Sequence, residues 1–234
     1  MTRRNYPEIK VCGLTRPDEA TACAELGADA IGLVFYPPSP RNVSFEQAAA
    51  IRDVLPPSVL AAGVFVDPPL EELLQTVNRV GLDVIQLHGA ESSEYVSQLS
   101  RQTDRKIIKA LFAKKAPGMQ VAHTYRVDAF LVECGHGPLP GGNAMAWDWA
   151  AARPFAQQHP LILAGGLGPE TVEDAIAASL PDAVDASSAL EAQPGRKDLS
   201  KVKRFIQAIQ RSAVHYTSGD RHMRPIFTSR SLSI

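Results

Sequence analysis

Cysteine is scarce in this 234-residue chain: there are three, Cys12, Cys23 and Cys134, and none is in C-x-x-C spacing. A disulfide framework or a thiolate metal cluster is therefore a poor explanation for them, and no metal site is expected. Net charge is scarce too, with 24 Lys+Arg against 25 Asp+Glu, which gives no support to nucleic-acid or membrane-surface binding. No apolar run approaches the ~18 residues of a membrane span. Arg3 and Arg4 lead into Asn5, Tyr6, Pro7 and Glu8 and not into the apolar stretch of a secretion leader, so a reducing, cytoplasmic setting is expected. What the chain does have is core-forming material, with 45% of its residues hydrophobic.

That material is organised as one repeated unit. Short apolar runs at 8–12, 29–35, 59–66, 83–87, 106–111, 128–133, 160–164 and 182–186 read as strands. Helix-like segments at 17–26, 44–54, 69–79, 91–100, 115–124, 147–157, 169–179 and 198–211 separate or follow them, rich in Ala, Leu, Glu and Gln. Near-continuous apolar strands suit a parallel sheet covered by helices, and eight βα units favour a closed (βα)8 barrel of the α/β class over an open sheet. The phrases "ELGADAIGLVF", "NRVGLDVIQL" and "TYRVDAFLV" share a helix tail, a turn, an acidic residue and a buried strand, which argues against an internal domain boundary. Residues 1–211 form the expected barrel domain. Residues 212–234, rich in Ser, Arg, Thr and His, read as an appended tail that is mobile or docked on the outside.

In such a barrel the chemistry sits in the loops after the strands. After strand seven, "LAGGLGPETV" carries Gly165 and Gly166 ahead of a helix start, and after strand eight "DASSALE" adds Ser187 and Ser188; together they suggest a phosphate site, with a plain tight turn as the alternative. Arg41 lies in a loop stiffened by Pro37, Pro38 and Pro40 and ended by Ser44 as a helix cap; it is either a grip for a carboxylate or sugar, or an ordinary exposed arginine. Cys12 is either a small buried hydrophobe or, as thiolate, a general base; Lys10, two residues back on the same face, is expected to contact substrate. Glu133, ending strand six across the barrel, is either a proton donor or half of a structural ion pair. His88 in "QLHG" orients substrate or bonds within the rim, and Asp67 caps the following helix.

The ordered series "KVCGLT", "GADAIGLVFYPPSPRNVS", "GVFVD", "IQLHG", "LAGGLGPETV", "VDASSALE" and "PGRKD" resembles the phosphoribosylanthranilate isomerase family of tryptophan biosynthesis over residues 8 to 209. The resemblance implies a single barrel and a cofactor-free Amadori rearrangement of a small phosphosugar, by a monomer or homodimer. It puts the general base on Cys12, the substrate-gripping arginine on Arg41, an assisting acid on Asp185 and the phosphate loop on Gly165 and Gly166, beside Ser187 and Ser188. The chain departs from the family pattern at Glu133, where an aspartate is usual, and at Ala189, where a glycine is usual. The loop "GHGPLPGGNAMAWDW" is also longer than the family's, and is expected to be reshaped to seat the longer acid. Two other readings compete. The related sugar isomerase of histidine biosynthesis has carboxylates ending strands one and five, where this chain has Cys12 and Ala110-Leu111. A non-catalytic phosphosugar-binding barrel would follow if the changed acid signalled lost chemistry.

Overall fold

The computed structural model describes residues 5–135, 145–216 and 223–228. Eight parallel strands close into a barrel in chain order: β1 (Glu8–Cys12), β2 (Ala30–Phe35), β3 (Leu60–Phe65), β4 (Val84–Leu87), β5 (Lys106–Phe112), β6 (Ala129–Glu133), β7 (Leu161–Leu163) and β8 (Ala183–Ala186). The helices α1 (Pro17–Leu26), α2 (Phe45–Asp53), α3 (Leu70–Val80), α4 (Ser93–Ser100), α5 (Arg153–Gln158), α6 (Val172–Ser179) and α7 (Leu199–Arg211) complete the βα alternation. Their apolar residues recur at helical spacing: Leu73, Val77 and Val80 are buried on α3, and Val202, Phe205, Ile206 and Ile209 on α7. Ser44 begins α2 with a capping box, its hydroxyl accepting from the Gln47 N–H while the Gln47 amide oxygen accepts from the Ser44 N–H.

Strand residues alternate between two cores. Ile9, Val11, Ile31, Leu33, Ile85 and Leu87 face the helices. Ala30, Ala62, Val84, Ile108, Leu131, Ile162 and Ala183 fill the barrel interior. The acidic residue of the repeated phrase has a mechanical role. Asp29, Asp83, Asp128 and Asp182, each just before an even-numbered strand, accept from the backbone N–H of Ile9, Ala61, Ile107 and Leu161 in the preceding strand, at 2.7, 2.9, 2.7 and 2.9 Å. Each carboxylate satisfies a donor at the strand start that the ladder leaves unmet.

Four expectations need correction. The fifth helix is only a 3-10 segment, Met119–Thr124, because Pro117 and Gly118 interrupt the run ahead of it. The helix expected from residue 169 starts at Val172; the Thr171 hydroxyl first accepts from Gly168 N–H at 2.9 Å and donates to the Gly166 carbonyl at 2.9 Å. Asp67 does not cap α3, whose N-cap is Pro69; its carboxylate accepts from the Ala90 N–H at 2.7 Å and ties the loop after β3 to the loop after β4. The start of the tail, Ser212–Tyr216, packs on the outside against α6 and α7 as expected, but residues 223–228 are docked into the barrel's floor. Ile226 and Phe227 are buried among the interior alanines, and the Glu8 carboxylate accepts from the backbone N–H groups of Ile226, Phe227 and Thr228 at 2.8, 2.7 and 2.9 Å. An antiparallel hairpin, β9 (Glu191–Gln193) and β10 (Arg196–Lys197), precedes α7 and was not anticipated.

Candidate active site

At the carboxyl ends of the strands lies a cavity of about 890 Å³ measured out to its open mouth. Cys12, Arg41, His88, Glu133, Gly165, Gly166, Asp185, Ser187 and Ser188 all line it; Lys10 does not. The sulfur of β1 and the carboxyl of β6 thus face one compartment. Gly32 makes room for the sulfur: a Cβ there would fall 2.6 Å from Cys12 Sγ.

Lys10 is inward-facing, as strand alternation requires, but lies one layer below the cavity wall. It is fully buried, and its Nζ is 3.0 Å from Asp185 Oδ1. It therefore supports Asp185 and Cys12 from beneath, in place of the substrate contact anticipated for it. Burial alone would lower the Lys10 pKa, but Asp185 and Cys12 together outweigh it and the ammonium is held above its ordinary value. For Cys12, burial pushes the thiol up; Lys10 opposes the shift, and Asp185 adds to it.

Arg41 is buried, and two of its nitrogens are taken. Nε and Nη2 donate to Glu191 Oε1 and Oε2 at 2.8 and 2.7 Å, a bidentate pair. Lys197 Nζ donates to the same carboxylate at 2.9 Å. Burial would raise the Glu191 pKa, but Arg41 and Lys197 hold it below the usual carboxylate value. Gly13, at φ +78°, lets the arginine stem lie across the loop after β1; a Cβ there would meet Arg41 Cδ at 2.5 Å. Glu191, Lys197 and Gln86 were missed from the sequence as site residues. Glu191 and Lys197 lie in quoted motifs, but their contact depends on the unforeseen hairpin. Gln86 was detectable, because it shares the inward face of β4 with His88.

The loop after β7 turns through Gly165 and Gly166 at φ +84° and +71°. Trp147 Nε1 and Trp149 Nε1 donate to the carbonyls of Ala164 and Gly165 at 2.9 and 3.1 Å, bracing the turn. Ser187 Oγ donates to the Cys12 carbonyl at 3.0 Å, linking the loop after β8 to β1. The Ala189 methyl is accommodated because Gly168 faces it: a Cβ on Gly168 would come within 3.2 Å. Most of the loop expected to reshape around Glu133, residues 136–144, lies outside the described residues.

Residues 9–208 match the family described as N-(5'-phosphoribosyl)anthranilate (PRA) isomerase. The chain belongs to the N-(5'-phosphoribosyl)anthranilate isomerase family. Among curated relatives it is 49% identical over 209 residues to an N-(5'-phosphoribosyl)anthranilate isomerase of Desulfatibacillum aliphaticivorans, covering 89% of this chain and 95% of the relative. A phosphoribosylanthranilate isomerase structure from Thermotoga maritima superposes with a TM-score of 0.80 at 37% identity, covering 87% of this chain and 98% of that one. Another structure of an isomerase of this family is a complex with reduced 1-(o-carboxyphenylamino)-1-deoxyribulose 5-phosphate. It superposes with a TM-score of 0.76 at 36% identity, over 87% of this chain and 98% of that one. In this phosphoribosylanthranilate isomerase family member, the tail that plugs the floor lies beyond the matched residues.

Proposed function

We propose that this chain converts N-(5'-phosphoribosyl)anthranilate into 1-(2-carboxyphenylamino)-1-deoxyribulose 5-phosphate, as a monomer or homodimer acting on a small phosphosugar. The observation that carries the reading is the convergence of Cys12 and Glu133, from opposite sides of the barrel, on one cavity whose rim holds the Gly165-Gly166 and Ser187-Ser188 loops.

Glu133, as a carboxylic acid, protonates the furanose oxygen; the C1–O bond opens and a protonated Schiff base forms. That cation acidifies the proton on C2 and favours the thiolate of Cys12, which removes it and leaves an enolamine. The enolamine loses its O–H proton and gains one at C1, giving the ketone with no net change of atoms or electrons. Each step is a proton transfer between substrate and side chains, so the reaction asks for no metal or redox cofactor. Lys10 and Asp185 set the charge around the sulfur. Arg41, held by Glu191 through two nitrogens, offers Nη1 to the anthranilate carboxylate. Backbone groups around Gly165, Gly166, Ser187 and Ser188 take the phosphate.

Coupled turnover of freshly generated substrate tests the reading. We expect wild-type product formation, with Cys12→Ser and Glu133→Gln each slower by on the order of 100- to 10,000-fold, as for loss of a general acid or base. Binding without product in the wild type would identify a phosphosugar-binding barrel. Near-normal turnover of Glu133→Gln would remove that residue as the donor.

A further inference from the structure

Glu133 carries its carboxyl one methylene farther than an aspartate would, and that reach ends at a histidine. His88 Nε2 lies 3.3 Å from Glu133 Oε1. On the other side of the imidazole, Gln86 Nε2 is 2.9 Å from His88 Nδ1. An amide nitrogen only donates, so with the Gln86 amide in this orientation Nδ1 accepts and a neutral ring carries its proton on Nε2, toward the carboxyl. Phe112 packs edge-on against the imidazole, with ring centroids 5.8 Å apart, and is the register partner of Glu133 on the neighbouring strand. The imidazole is thus fixed by Gln86 and Phe112. His88 Nε2 is buried and has no hydrogen-bond partner among the described residues, so its approach to Glu133 is its one polar engagement there. At 3.3 Å the pair is within hydrogen-bond distance but poorly aligned, and apo contacts of this kind commonly align and tighten when substrate is bound.

We infer that His88 is a positioning residue for Glu133: the imidazole N–H engages Oε1 and Gln86 selects the tautomer that makes this possible. The inference rests on the reading of Glu133 as general acid. A carboxylic acid carries one proton, and a donor at Oε1 biases that proton to Oε2, the oxygen left for the furanose ring. After the proton has passed to the ring oxygen, the same N–H stabilises the carboxylate that remains. An aspartate would withdraw the carboxyl by about 1.5 Å, one C–C bond, and strand the imidazole N–H. The glutamate at position 133 is therefore matched to His88, which explains how the site keeps an acid of unusual length in place.

Steady-state kinetics of His88→Asn in two backgrounds tests the coupling. With Glu133 present, kcat should fall by on the order of 10- to 100-fold while KM stays within about threefold, because a misplaced acid slows the chemical step. In the Glu133→Asp background, where the carboxyl is already out of reach, the same substitution should cost less than about threefold. Gln86→Leu keeps the imidazole but releases its tautomer, and should show part of the kcat loss at unchanged KM; it carries the test if His88→Asn folds poorly. Equal losses in both backgrounds, or a loss appearing in KM, overturns the inference. Retained turnover in Glu133→Gln is a separate result, and would sink the acid assignment beneath it.

Discussion

The two ends of this barrel are lined by alternate residues of the same strands, yet they are finished in opposite ways. At the floor, Glu8 of β1 spends both carboxylate oxygens on the backbone N–H groups and hydroxyl of the tail, and Lys106 of β5 donates to the Ile226 carbonyl. Ile226 and Phe227 fill the space left by the small side chains of Ala30, Ala62, Ala129 and Ala183. At the mouth, four residues further along β1, Cys12 faces an open cavity, and Gln86 Oε1 is buried without a hydrogen-bond partner among the described residues. Satisfied polar groups stabilise, while groups with unused hydrogen-bonding capacity are available to a ligand. Stability and chemistry are thereby separated along the barrel axis.

Removing residues 217–234 should break that separation most visibly. Lost burial of Ile226 and Phe227 is worth about 3–5 kcal/mol, and Glu8 is left in an apolar floor without its donors. For a chain of this size the melting temperature should drop by roughly 10 °C. kcat/KM measured well below that temperature should stay within about twofold; a large loss of turnover would show that the floor communicates with the mouth.

Glu191→Gln sharpens the contrast from the other end. The arginine loses its bidentate partner, so KM should rise by about tenfold with a smaller change in kcat. The same variant has a pH signature. Because the folded pKa of Glu191 is depressed, its stabilisation is present above the ordinary carboxylate value and is lost as pH falls through the folded value. Acid titration of the wild type, followed by thermal melting, should therefore show a loss below about pH 4.5 that the variant lacks.

The smallest expected effect is in the pH profile. The base must be a thiolate, and burial pushes the Cys12 thiol up, so kcat/KM should still be rising with pH at and above the ordinary thiol value of about 8.5. A profile flat from neutral pH upward would mean that Cys12 is not the base in the free enzyme.

Local patterns carried most of this architecture. The alternation of β-branched runs with amphipathic segments placed all eight strands, and the recurring acidic residue before β2, β4 and β6 was visible as a repeat before its hydrogen bonds gave it a reason, which the structure extends to Asp182 before β8. The fifth helix failed because apolar spacing alone does not weigh a Pro-Gly pair at its start. Lys10 was correctly given an inward face, but its depth, and hence its contact with Asp185 in place of a ligand, depends on how far each strand is staggered against the next.

The sequence by itself determined the barrel, the end at which its chemistry sits and the residue types that converge there, because strand period and turn chemistry are local properties. Only the tertiary structure decided the partnerships: Glu191 with Arg41 across 150 positions, His88 with Glu133, and the tail with Glu8. Those pairings join residues far apart in the chain, and no periodicity encodes a distance that exists only after the barrel has closed.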